Sequence, residues 1–257
     1  MADEPKQQPA NSNGDPVALS ASNQGRGLVF IISAPSGSGK STLVNELRQS
    51  VGGLDFSVSY TTRAPRGSEQ NGREYCYLSR DEFEKMIAAD QFLEYADVFG
   101  NYYGTARCML DRAIEHGHDL LLDIDVQGAA QLQAKLPGSI SIFVLPPSRR
   151  ELVLRLRRRS SAEHVKDPGI IRRRLDTASQ EICNYNRYDY ILVNDRLEDS
   201  IEALKAIVLS ERLRRSGHEA TGEVRRLAER CRLENVRESI QSILATFGNQ
   251  ESSAARK

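Results

Sequence analysis

The stretch Ala34-Pro35-Ser36-Gly37-Ser38-Gly39-Lys40-Ser41 constrains this chain more than any other. It fits the phosphate-loop pattern G-x-x-x-x-G-K-[ST] except that Ala34 stands at the first glycine position. Glycines let the backbone curl so that successive N–H groups point inward at phosphate oxygens. Lys40 offers a cation to the β- and γ-phosphates of a nucleoside triphosphate, and Ser41 offers a hydroxyl to Mg²⁺. The pattern means little unless a buried strand precedes it and a helix follows. Here Gly27-Leu28-Val29-Phe30-Ile31-Ile32-Ser33 has the apolar run of a strand covered on both faces. After the loop, Leu43, Val44 and Leu47 recur at helical spacing, and the helix is expected to start at Ser41. Its positive N-terminal end adds to the attraction for an anion. Ala34 is tolerable if that position needs no positive φ.

The same rhythm repeats downstream. Buried strands are predicted at Asp119–Asp125, Ile140–Leu145 and Tyr190–Val193, with helices over Ala106–Glu115, Arg149–Arg159, Ile170–Asn184 and Leu197–Arg214. Apolar strands alternating with helices make an α/β fold, a mostly parallel sheet with helices on both faces. Asp123 and Asp125 then fall at the carboxyl edge of a strand, where open α/β sheets bind ligands, and an acid there can hold the shell of a metal ion.

Residues 57–105 break the rhythm. They are richer in Tyr, Thr and Gly, hold one clear helix at Asp81–Ala89, and read as an inserted α+β subdomain. Within it, Arg63 and Arg66 lie three residues apart beside hydroxyls, followed by Tyr75, by Glu94 in Phe92-Leu93-Glu94-Tyr95, and by Tyr102-Tyr103-Gly104-Thr105. Two guanidiniums and two phenols suffice to clamp a phosphate.

With APSGSGKST, SVSYTTRAPR, FLEYA, GNYYGT, LLLDIDVQGA and YDYILVND, the chain resembles the guanylate kinases over roughly residues 27–214. The resemblance implies a P-loop three-layer fold with a GMP-binding insert and a helical lid. It implies that residues Ala34, Pro35, Ser36, Gly37, Ser38, Gly39, Lys40, Ser41 and Thr42 hold ATP, and that Asn194 lies on the adenine side. Arg63, Arg66, Tyr75 and Tyr103 would hold the GMP phosphate, while Ser59, Glu94, Thr105 and Asp125 would read guanine. Ser41 and Asp123 would sit at Mg²⁺, and Lys40, Arg155, Arg159 and Arg174 would neutralise the phosphoryl group in flight. Chemistry supports the guanine assignment: an ionised Glu94 accepts from both N1–H and N2–H₂, whereas adenine presents a lone pair at N1. The hydroxyls of Ser59 and Thr105 have donors for guanine O6. No reader of a ribose 2′-OH is evident, so dGMP is an allowed acceptor. The lid stretch Ser160–Gly169 is longer than the family pattern, which leaves Arg172 and Arg173 as alternatives to Arg174.

Two other readings compete. One is a kinase for a different nucleoside monophosphate; the other is a non-catalytic guanylate-kinase-like module that binds a phosphopeptide through the Arg/Tyr clamp. Ser59, Glu94 and Asp125 argue against the first, and the intact Gly37, Gly39, Lys40, Ser41 and Asp123 against the second.

Composition narrows the partners. Lys+Arg and Asp+Glu balance at 35 each, so no global field draws the chain to nucleic acid or anionic lipid. No apolar run has the ~20 residues of a membrane helix, and the start lacks a signal peptide's pattern. The four scattered cysteines suit reduced thiols, and a cytoplasmic location is expected. His116, His118, His164 and His218 read as surface residues with no zinc site. Residues 1–26 read as a disordered tail. The proposed core comprises 27–56, 106–153 and 176–214, the insert 57–105 and the lid 154–175. Residues 215–257 are an extension with one helix over Gly222–Phe247 and a frayed end. Nothing in the sequence sets the oligomeric state.

Overall fold

A computed structural model describes residues 27–98, 100–162 and 168–248. The expected tail (1–26), part of the lid (163–167) and the expected frayed end (249–257) lie outside the described residues. Five parallel strands form the main sheet in the order β2-β7-β1-β8-β9. They are β1 (Val29–Ser33), β2 (Leu54–Ser57), β7 (Asp119–Asp123), β8 (Ile140–Leu145) and β9 (Tyr190–Val193). Their side chains alternate between two apolar clusters, as a doubly covered pleat requires. Phe30, Ile32, Leu121 and Ile142 join one cluster with Leu43, Leu47, Leu204 and Ile207 of helices α1 (Lys40–Ser50) and α7 (Leu197–Arg215). Ile31, Leu120, Leu122 and Phe143 join the other, with Leu132 of α4 (Val126–Lys135), Leu152 and Leu156 of α5 (Arg149–Ala162), and Ala178 and Ile182 of α6 (Pro168–Ile182).

A second sheet rises from the insert, in the order β4-β3-β6-β5. Strands β3 (Tyr60–Thr61) and β4 (Cys76–Tyr77) run parallel, while β6 (Asn101–Ala106) is antiparallel to both β3 and β5 (Phe92–Val98). Helix α2 (Arg80–Ala88) covers it, started by a capping box between Ser79 and Glu82. Helix α3 (Arg107–His116) leads back to β7.

The four predicted strands and the predicted helices up to Leu197–Arg214 are present with ends shifted by up to three residues, the largest at the end of α5. The insert's four strands were not placed individually, and outside it one strand and one α-helix went unread. Strand β2 is a short edge strand with no clean alternation, and α4 hides its start because its cap, Asp125, doubles as a candidate site residue.

The extension departs from expectation. Instead of one helix it forms α8 (Gly222–Cys231), α9 (Leu233–Val236) and α10 (Gln241–Gly248). The break falls at Arg232, which is extended (φ −61°, ψ 137°) because it bridges to Tyr190 across the outer edge of β9. Leu233 N–H donates to Asp189 C=O at 2.9 Å, so the chain covers an otherwise open sheet edge. Arg232 also lies over the Tyr190 ring and reaches Glu211, a carboxylate only 2% exposed. Glu211 accepts the Tyr190 hydroxyl at 2.5 Å and is paired with Arg214. Removing one partner of such a buried network strands the rest. Glu211→Ala is expected to cost about 3 kcal/mol or more in urea unfolding, and an unshifted midpoint would show that the network carries no stability.

Candidate active site

Strand β1 ends at the centre of the sheet, where Ile32 is in register with Asp123 of β7. The loop leaves from that point. Gly37 and Gly39 adopt φ of 90° and 89°, whereas Ala34 is not among the residues of positive φ, so alanine there is unstrained. A Cβ on Gly39 would also collide with the Asn194 side-chain amide. Helix α1 begins at Lys40, one residue earlier than expected. The Lys40 ammonium donates to Ile124 C=O at 2.9 Å and is ion-paired with Asp123.

Behind the loop, the Ser38 carbonyl accepts from Asn194 Nδ2 at 2.7 Å and from Arg155 Nη1 at 3.4 Å. Arg155 also reaches Asn194 C=O at 3.0 Å and pairs with Glu151. The family resemblance implies an adenine-side place for Asn194 and a phosphoryl group for Arg155; both side chains here brace the loop.

Two adjoining cavities open on the inner side. The larger, about 930 Å³, brings Ser41 and Asp123 together with Arg63, Arg66, Tyr75, Tyr103 and Arg159. The smaller, about 200 Å³, has Ser59, Glu94 and Asp125 on its walls beside Lys40, and shares Tyr75, Tyr103 and Asp123 with its neighbour. Residues drawn from seven separate stretches of sequence therefore line these two adjoining cavities. Arg174 is half-buried on α6, while Arg172 and Arg173 are exposed.

Glu94 is buried because the register of β5 against β6 shifts between Phe92 and Glu94, so Phe92, Leu93 and Glu94 are all covered. Thr105, opposite in register, donates its hydroxyl to Glu94 Oε1 at 2.6 Å. That donor is thus engaged by the carboxylate, where the sequence assigns it to guanine O6. Burial pushes the Glu94 carboxyl up to about 7, Thr105 opposing and the charge of Asp125 adding. Asp125 caps α4, accepting from Gly128 N–H at 2.8 Å. Tyr75 is pushed up to about 12 by burial, with Asp123 contributing, so its hydroxyl remains a donor at neutral pH.

Three further residues were not singled out from sequence: Glu69 lines the larger cavity, while Glu181 and Gly128 act on Lys40 and Glu94 without lining either cavity. Glu69 takes both oxygens to Arg63 Nη2 (3.0 and 3.1 Å) and accepts Tyr77 O–H at 2.7 Å and Arg66 N–H at 2.8 Å. Glu181, on α6, is pushed up to about 7 by burial, with Lys40 opposing. Its place beside Ala178 and Ile182 on an apolar helix face was the readable signal. Gly128 leaves the room Glu94 needs, since a Cβ there would lie 2.9 Å from Glu94 Cδ.

A sequence profile described as guanylate kinase matches residues 26–211. A guanylate kinase of Koribacter versatilis is 58% identical over 224 residues, covering 86% of this chain and 96% of that protein. The guanylate kinase of Escherichia coli K12 is 45% identical over 193 residues, 74% of this chain and 91% of its own. A crystal structure of guanylate kinase from Anaplasma phagocytophilum superposes with a TM-score of 0.58 at 32% identity, covering 73% of this chain and 87% of that one.

The burial of Glu94 has a measurable consequence. The folded chain holds that proton to about pH 7, whereas the unfolded chain releases it near 4.5, so unfolding releases a proton between those values and stability falls as pH rises through them. Glu94→Gln removes the effect while keeping an acceptor for Thr105. Its unfolding free energy relative to wild type is expected to climb from pH 4.5 to 7 and then level off; a difference that does not vary with pH would mean that folding leaves the Glu94 carboxyl unshifted.

Proposed function

The chain belongs to the guanylate kinase family, and we infer that it transfers the terminal phosphate of ATP to GMP, giving ADP and GDP. The observation that carries the guanine reading is the buried Glu94, facing the small cavity with Ser59 and Asp125 and opening onto the Arg63, Arg66, Tyr75 and Tyr103 clamp. An ionised Glu94 satisfies the two adjacent donors of guanine, and a base lacking them leaves a buried carboxylate unpaired. In this reading residues 57–105 bind the acceptor and 154–175 form the lid.

Little covalent work falls to the protein. The GMP phosphate is already an anionic nucleophile, so no general base is required, and catalysis is positioning plus charge neutralisation. Lys40 and the loop amides hold the ATP phosphates, and Arg159, which lines the larger cavity, balances charge on the group in transit with Arg174; Arg155 would join them only on leaving the Ser38 carbonyl it braces here. Closure of the lid would exclude water and suppress hydrolysis. Ser41 and Asp123 offer oxygen donors on one wall of the larger cavity, a set that suits a hard cation. Mg²⁺ bound there with ATP would supply further neutralisation of phosphate charge. Among the described residues no helix is long and apolar enough to cross a membrane, and a cytoplasmic site of action is part of this proposal.

The test is ADP release with ATP·Mg²⁺ against GMP, dGMP, AMP, CMP and UMP. Turnover with GMP and little with AMP is expected, with Lys40→Ala slowed by roughly 10²–10⁴ in a folded protein. Preference for another base would overturn the guanine reading. No turnover by protein that still binds GMP would favour the phosphopeptide-binding module.

Gly128→Ala separates specificity from catalysis. Its Cβ displaces Glu94, so KM for GMP is expected to rise by about tenfold or more with kcat less affected. A wild-type KM would show that Glu94 does not need that space.

A further inference from the structure

On the far side of β7 from the phosphate loop, β2 and the end of α3 bring three metal-ligating side chains together. Helix α3 ends at His116 and is capped by Gly117 in the left-handed conformation (φ 66°). His118 N–H returns to Ala113 C=O at 3.0 Å, and Asp119 N–H donates to Gly53 C=O at 3.0 Å. The His-Gly-His turn is therefore pinned by the helix cap on one side and by the β2–β7 pairing on the other. Asp55 lies in β2, in register with Leu120.

The pinned frame aims both imidazoles at one carboxylate. His118 Nδ1 is 2.9 Å from Asp55 Oδ1 and His116 Nδ1 is 3.4 Å from Asp55 Oδ2. One ligand atom from each of the three residues lies within 4.8 Å of the others. Bonds of about 2.0–2.2 Å in a tetrahedral site set ligand atoms roughly 3.3–3.5 Å apart, so a small inward adjustment suffices. The side chains of His116, His118 and Asp55 are 46%, 42% and 28% exposed, which leaves a path for an ion and room for water to complete its coordination.

We propose that Asp55, His116 and His118 form a binding site for a divalent transition metal ion of the zinc class. Two imidazoles and a single carboxylate suit zinc, cobalt or nickel and are a poor set for magnesium or calcium, which take oxygen ligands. The site is distinct from the one assigned to Ser41 and Asp123, yet it is not remote: Asp55 also lines the larger cavity. Neither histidine suggested this from sequence, because the third ligand lies 61 residues before His116.

The test uses the whole chain without nucleotide, kept reduced by a phosphine, titrated with Co²⁺ under visible absorption and with Zn²⁺ by calorimetry. One saturable equivalent is expected, with cobalt d–d bands of a low-coordinate nitrogen and oxygen site. His118→Ala and Asp55→Asn are each expected to weaken binding by at least about tenfold, the loss that even an outer partner of a ligand can cause. His116→Ala, at a helix end, provides a third variant should either fail to fold. Absence of saturable binding would overturn the proposal, as would affinity unchanged in the folded variants. A thiolate-to-cobalt charge-transfer band would also overturn it, pointing to the exposed Cys108 or Cys183.

Discussion

A loop whose amides must face an anion has to turn its carbonyls the other way, and a carbonyl turned into the protein needs a donor. The Ser38 carbonyl finds two, Asn194 Nδ2 and Arg155 Nη1. Much of the molecule exists to present those donors. Asn194 follows β9, and its N–H is tied to Leu145 C=O at the end of β8. Arg155 projects from α5, steadied by Glu151 one turn earlier. The loop is thus fixed by the carboxyl ends of β8 and β9 and by α5, as well as by β1, from which it springs. Glycine at position 39 follows from the same contact, because the Asn194 amide occupies the space a side chain would need.

The legibility of the sequence tracks how local each feature is. Buried parallel strands have no polar face, so β1, β7, β8 and β9 stand out as apolar runs between punctuating residues. The edge strand β2 carries Asp55 and lacks that signal. The helical break at Arg232 is set by a bridge to Tyr190, 42 residues earlier, which no local pattern encodes. At the site, Lys40, Asp123, Arg63 and Glu94 were readable through motif and resemblance. Their relations were not. That Thr105 serves Glu94, or that Glu69 serves Arg63, depends on strand register and loop closure in the insert.

The carboxylates around the cavities illustrate how placement sets charge. Glu69 is held below the ordinary carboxylate range: burial raises it, but Tyr77, the Arg66 N–H and Arg63 together prevail. Glu94 and Glu181 lack cationic hydrogen-bond partners and are raised to about 7. Glu69 thereby orders the arginine clamp at neutral pH. Glu94 carries an unmet demand for donors, which guanine's N1–H and N2–H₂ would satisfy in the proposed complex. A buried carboxyl of this kind lowers the stability of the free fold and sharpens discrimination when ligand binds, the usual trade at a functional site.

The extension beyond the family's matched span belongs to the same mechanical system. Val236, Ile240 and Phe247 sit in the apolar cluster that contains Leu152 and Leu156, and Arg149 N–H at the start of α5 donates to Thr246. Leu152 and Leu156 in turn press against the phosphate loop, close enough that a Cβ on Gly37 would lie 2.9 Å from Leu156 Cδ2. Leu156 neighbours Arg155 in the helix, so the packing that positions one positions the other. The interior is close-packed and transmits displacement instead of absorbing it. Strand β9, which leads into Asn194, is covered at its edge by the same extension through Tyr190 and Arg232. Both donors to the Ser38 carbonyl are therefore anchored on elements that residues 222–248 hold in place, and the accuracy of the loop depends on a segment that touches none of its atoms in hydrogen bonding.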